Sequence, residues 1–241
     1  MANRKPKDLR PVMIIVNGLG FGAYTAGFII GMIISDFFRD CMDCKAYSVQ
    51  EELTLYRQLF RYLGFTIVLI KLYDFVNPIL TVLSKREDRI TNLQMIHFTW
   101  SFAIAWTGMK FNPAGIFIMI PIIDAVYQIL FYAYMVMKAS SEEMKPSESF
   151  RYILYYIRQL SGVFLTAHQG YFLYNFDTEC GSQLSILKPI LVANVFYGIG
   201  FLIMHPIDFH NRTKRRKQRV EDLMASKKSL NLDENKNALN E

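Results

Sequence analysis

Ionisable and amide side chains recur at helical spacings within stretches of this chain that are otherwise apolar. Lys71, Asp74 and Asn77 stand at i, i+3, i+6; Gln94 and His97 at i, i+3; Asp124, Gln128 and Tyr132 at i, i+4, i+8. Arg158 and Ser161 repeat the pattern, and His168 follows in the same stretch. Such spacings put side chains on one helix face. An imidazole that titrates near neutrality has a nucleophilic neutral nitrogen, so a histidine beside amides and a Lys–Asp pair could accept an acyl group and bind a charged substrate. The competing reading is a set of interhelical hydrogen bonds that only hold a bundle together. On either reading Lys71 and Asp74 are expected to form an inward ion pair. No GxSxG elbow, HExxH pair or P-loop occurs. The four histidines, His97, His168, His205 and His210, are too scattered for a histidine-rich di-iron site, and no metal is expected.

The elements that must carry these residues are long. No Asp, Glu, Lys or Arg lies between Arg10 and Asp36, between Arg89 and Lys110, or between Lys188 and Asp208, which leaves charge-free runs of 25, 20 and 19 residues. A bilayer core about 30 Å thick needs roughly 20 mainly apolar residues per helix. These runs exclude an ordinary soluble enzyme and a disordered chain. The apolar stretch after the basic N-terminus is too long for a signal-peptide core and is expected to stay as a span. Six spans fit, at about 11–35, 59–83, 90–109, 113–137, 152–174 and 187–207. The fold class is therefore an all-α, polytopic transmembrane helical bundle, with the polar strips of four helices turned toward a shared cavity.

Lys and Arg alternate between the connections. Segments 1–10, 84–89, 138–151 and 211–219 hold 16 of them, against 5 in the other connections. By the positive-inside rule the rich set is cytosolic, so both termini face the cytosol. The expected division is a membrane domain over 1–210 and a basic, then polar, disordered tail over 211–241. NRTKRRKQR suits an anionic leaflet better than nucleic acid, since it adjoins a span. The lipid bilayer is thus an expected partner, and nucleic acid is not.

The order of motifs resembles the ELO family of very-long-chain fatty acid elongases over almost the whole chain. Asn3-Arg4-Lys5-Pro6, then Asp8-Leu9-Arg10-Pro11 and Asn17, resemble its NRKPFxLKPxLxxYN segment. Lys71 to Pro78 stands at KxxExxDT, and Leu83-Ser84-Lys85-Arg86 at VLRK. Leu93-Gln94-Met95-Ile96-His97-Phe98 occupies the histidine box LHxxHH, with Pro113-Ala114-Gly115 at the following PGG. Asp124 to Gln128 stands at NSFxH and Tyr132-Ala133-Tyr134 at YSYY; Phe150, Arg151 and His168 match the next helix. Tyr197, Phe201, Leu202, Phe209 and the basic tail resemble the YxxxFLxLF ending.

This resemblance implies condensation of acyl-CoA with malonyl-CoA in the endoplasmic reticulum membrane, giving a 3-oxoacyl-CoA, CO2 and CoA, with no bound cofactor. It implies a bundle enclosing an acyl tunnel; the family has seven spans, and this sequence begins at the segment that follows the first. His97 stands where the acyl-accepting histidine does, and Gln94 and Gln128 where the family has further histidines that orient the reactants. Phe98 replaces a third. Lys71, Asp74, Asn77, Asp124, Tyr132, Arg158 and His168 are the expected substrate-binding set, Lys71 meeting a CoA phosphate or carboxylate; Arg158 and Ser161 stand where the family has paired glutamines. Self-association, or association with other elongases, is the implied partnership. The alternative is a degenerate relative that binds acyl-CoA, or pairs with active elongases, without reacting. The family also places cysteines in the two lumenal connections that contain Cys44 and Cys180, which implies a bridge there, with Cys41 as competitor. Mass spectrometry without reductant should find the Cys44 and Cys180 peptides joined; two free thiols reject the bridge.

Overall fold

The computed structural model describes residues 9–34, 55–84, 91–111, 117, 119–140, 147–176 and 187–238. Cys41, Cys44 and Cys180 lie outside these residues. Every regular element among them is an α-helix: α1 (Arg10–Ile34), α2 (Leu55–Tyr73), α3 (Val76–Leu83), α4 (Asn92–Phe111), α5 (Met119–Ser140), α6 (Glu148–Tyr174) and α7 (Leu187–Ala238). In an apolar solvent a helix satisfies all its backbone groups internally, which is why long uncharged runs take this form. Four segments are long and apolar enough to cross a membrane: Arg10–Ile33, Arg61–Leu83, Met119–Ser140 and Leu187–Gln218. With α4 and α6 they make a polytopic helical bundle. These last two, of 20 and 27 residues, are also long enough at about 1.5 Å per residue, but they carry the polar residues discussed below.

The ends have local causes. Ser147 precedes α6 in an extended conformation, and its hydroxyl accepts the backbone N–H of Phe150 at 3.3 Å. The span expected from 113 starts as a helix only at Met119. The chain divides into two compact units, Met1–Leu202 and Ile203–Glu241. The first contains every site residue discussed here. In the second, Arg212 pairs with Asp208 one turn earlier, at 2.8 Å.

Within the first unit α1 packs most extensively on α5, α2 on α4, and α5 on α6. Leu63, Met119 and Ile122 form one buried cluster against Phe28 and Ile67 of α1 and α2. A second joins Ile104 of α4, Phe117, Phe172 and Phe176, and Leu187 and Leu191 of α7. Ile15, Leu19 and Ile33 of α1 and Leu160 of α6 are exposed, as expected of a lipid-facing surface.

Two prolines interrupt the helical ladder. Pro78 has no N–H for the carbonyl of Asp74 four residues earlier, and the break between α2 and α3 falls at Asp74 and Phe75. Pro206 likewise cannot donate to the carbonyl of Leu202. Gln159 of α6 donates its Nε2 to that carbonyl at 3.0 Å, so the backbone acceptor freed by the proline becomes a contact between helices. Gln159→Leu should therefore lower the thermal midpoint in detergent. In a Pro206→Ala background, which restores the backbone donor, the loss should shrink; a coupling of about 1 kcal/mol is expected from a double-mutant cycle.

Candidate functional site

Lys71, in the last turn of α2, is 3% exposed and lies amid apolar helices. An isolated ammonium there would be prohibitively unstable, and the structure surrounds it with acceptors. It forms an ion pair with Asp124 of α5, lies 3.7 Å from Asp74, and donates to the Tyr24 hydroxyl at 3.1 Å. Asp74 in turn accepts from Tyr24 at 2.6 Å and from Tyr132 at 2.8 Å. One cation, two carboxylates and two phenols thus join α1, the α2–α3 break and α5. These contacts enclose the Lys71 ammonium. Gly20 of α1 faces the Tyr132 ring: a β-carbon there would stand 2.5 Å from Cε1, so only glycine lets Tyr132 reach Asp74.

A second group surrounds His97. Its Nδ1 lies 2.9 Å from the hydroxyl of Tyr197 on α7, one hundred residues away. Tyr197 stacks on Trp100 at 4.9 Å between ring centroids, and Phe201 packs on the imidazole at 5.3 Å. Phe201 also carries the Arg158 guanidinium, at 5.3 Å from the ring centroid. Arg158 lies 4.5 Å over the Tyr127 ring and donates one Nη to the Tyr127 hydroxyl at 2.7 Å. The phenol–imidazole contact holds the ring in place, and the tautomer that bonds through Nδ1 leaves Nε2 as the other nitrogen.

The remaining candidate residues are dispersed. Gln128 is buried on α5, and Gln94 is partly buried near the start of α4. Neither side chain hydrogen-bonds to His97 among the described residues. Phe98 is buried, its ring 6.1 Å from that of Phe75. Asn77 is buried next to the break, with no partner for its Oδ1 among the described residues. His168 lies ten residues beyond Arg158, about 15 Å along α6. There it contacts Phe172 and the Gln169 amide at 3.2 Å, among apolar side chains and away from His97. Tyr24, Tyr127, Trp100 and Phe201 belong to the two groups although their residue types in an apolar run give little warning. Among the described residues no three His, Cys, Asp or Glu side chains are grouped to hold a metal ion.

Two apolar clefts meet at Lys71. One is lined by Gly64, Ile67, Ile104, Gly108, Met109 and Phe117, the other by Tyr24, Gly27, Phe28, Gly31 and Ile122. His97 lines neither, yet Ser101, Ile104 and Gly108 of the first follow it at i+4, i+7 and i+11 on one face of α4. The cleft therefore starts about one turn from the imidazole. The charge balance around Lys71 gives an asymmetric expectation. Lys71→Met leaves two buried carboxylates without their cation and should destabilise the protein by about 3–5 kcal/mol, read as a lowered midpoint in detergent. Asp124→Asn keeps one cation with one carboxylate and should cost much less; equal costs would contradict this account.

Comparison with known proteins gives this arrangement a relationship. The ELO family model, described as the GNS1/SUR4 family, matches residues 1–218. Human very long chain fatty acid elongase 1 is 23% identical over 225 residues, which cover 90% of this chain and 76% of the relative. The mouse protein of that name is 24% identical over the same length. Very long chain fatty acid elongase 7 of Drosophila melanogaster is 24% identical over 184 residues, 75% of this chain and 54% of the relative. The match runs through all the helices that build both polar groups, and the chain belongs to the ELO family.

Proposed function

We propose that this protein is a fatty acid elongase that condenses a long-chain acyl-CoA with malonyl-CoA, with His97 as acyl acceptor. The observation that carries the reading is the tethered imidazole: Tyr197 holds Nδ1 at 2.9 Å, and an apolar cleft begins one helical turn away on the same face of α4. In the first step Nε2 attacks the thioester carbonyl. An acyl–imidazole bond forms, the carbon–sulfur bond breaks, and CoA leaves as the thiol with the proton lost by the ring. In the second step malonyl-CoA loses CO2, and the electron pair of the broken carbon–carbon bond becomes an enolate. That enolate attacks the acyl carbonyl, the carbon–nitrogen bond breaks, and the departing imidazole nitrogen takes up a proton from solvent, releasing neutral His97 and a 3-oxoacyl-CoA two carbons longer. Developing negative charge on both carbonyl oxygens calls for fixed donors. Lys71, Asp74, Asn77, Asp124, Tyr132 and His168 contribute here by shaping and charging the substrate path, with Gln94 and Gln128 as amide donors for the bound thioester. The setting proposed is the endoplasmic reticulum membrane, both termini cytosolic and residues 211–241 a tail, with self-association or pairing with other elongases.

A second reading follows from one observation. Gln94, Phe98 and Gln128 stand where the resemblance places histidines, and neither an amide nor a phenyl ring acts as a general base. General acid–base help accounts for about 10²–10⁴-fold in rate. Its loss favours a member of the family that binds acyl-CoA without reacting.

Microsomes from an elongase-deficient host, given long-chain acyl-CoA and labelled malonyl-CoA, separate the two. The condensing reading expects a 3-oxoacyl product that His97→Ala abolishes and Tyr197→Phe reduces by about 10–100-fold, since misplacing a nucleophile by about 1 Å can cost 10²-fold. No product from folded, membrane-inserted protein establishes the non-reacting reading.

A further inference from the structure

Arg158 is the one ionised group of the two polar clusters that has no carboxylate within ion-pair distance among the described residues. Lys71 has two. The guanidinium lies against two aromatic rings, Tyr127 and Phe201, and spends one Nη on the Tyr127 hydroxyl. The edge formed by Nε and the other Nη makes no hydrogen bond among the described residues, and Nε is fully buried. A desolvated cation with an open two-donor edge is costly in a membrane bundle, and it matches the planar, bidentate geometry of a carboxylate. Its position selects among anions. Arg158 is ten residues into α6 and shares Phe201 with His97, so it faces the reaction centre rather than either end of the helix.

From this geometry we propose that Arg158 is a substrate-recognition residue that binds the free carboxylate of the malonyl unit through its Nε–Nη edge. The proposal rests on the malonyl-CoA reading above and deepens it. It carries a chemical consequence: decarboxylation must draw charge out of that carboxylate, so a guanidinium that holds it favours retention of malonyl-CoA over loss of CO2.

The test compares malonyl-CoA with acetyl-CoA, which differ by that carboxylate and share every phosphate. Binding to purified full-length protein in detergent is measured by calorimetry for wild type, Arg158→Gln and Arg158→Lys, each checked for monodispersity. Wild type should prefer malonyl-CoA by about 10–100-fold, the range of a charge-assisted bidentate contact. Arg158→Gln should erase the preference with acetyl-CoA binding unchanged, and Arg158→Lys, a point charge without the fork, should keep a part of it. Equal binding of the two thioesters by wild type overturns the proposal. So does a parallel loss of both in Arg158→Gln, which would place a CoA phosphate on Arg158, or an undiminished preference in either variant that folds. The condensing reading stands or falls separately: a wild type that prefers malonyl-CoA but makes no 3-oxoacyl product loses the reaction and keeps the site.

Discussion

An ammonium group in the middle of an apolar bundle dictates much of this structure. Lys71 can remain charged there only with compensating groups around it, and these come from three separate elements. Asp74 comes from the helix break, Asp124 from α5 and Tyr24 from α1, with Tyr132 closing the ring on Asp74. Helix association in lipid has little hydrophobic driving force, so such polar contacts and close small-residue packing must supply specificity. The most extensive packing, α1 against α5, is the one that Gly20 and Tyr132 bring close enough for the network to form.

The second cluster obeys a different logic. Around His97 and Arg158 the partners are aromatic: Tyr197, Trp100, Phe201 and Tyr127. Rings and phenols position an imidazole and a guanidinium without neutralising them. The first cluster is a charge network in which the cation and both carboxylates have partners. The second holds its imidazole and guanidinium through aromatic and phenolic contacts, with no carboxylate in direct ion-pair contact with Arg158 among the described residues.

Much of the fold was legible because an uncharged run of about 20 residues matches the thickness of a bilayer core, and α1, α4 and α7 carry such runs. Lys71, Asp74 and Asp124 were legible for the same reason: an ionisable residue in an apolar run stands out. Tyr132 was named with Asp124 and Gln128 on one helix stripe, but Tyr24 was not, because tyrosine is ordinary in membrane helices and its role depends on what packs opposite. The Lys71–Tyr24 contact spans 47 residues and the His97–Tyr197 contact 100, separations that no local periodicity encodes. A faint signal existed on α1, where Asn17, Gly20, Tyr24, Gly27 and Gly31 recur every three or four residues and mark its packed face. His168 illustrates the opposite case. Its residue type stands out in the sequence, and its neighbours Phe172 and Gln169 lie on its own helix.

The break that Pro78 imposes has an electrical meaning as well as a geometric one. It ends α2 in the interior of the bundle, so the last carbonyls of that helix, which carry the negative pole of its macrodipole, lie next to Lys71 in the final turn. α3 starts directly beyond, and its positive pole points back toward Asp74 and Phe75. The chain thus places the facing ends of two successive half-helices at the level of its buried ions, a cation at the negative end and a carboxylate at the positive one. An unbroken helix through the same residues would offer neither pole, and the ions would rely on one another and on the two tyrosines.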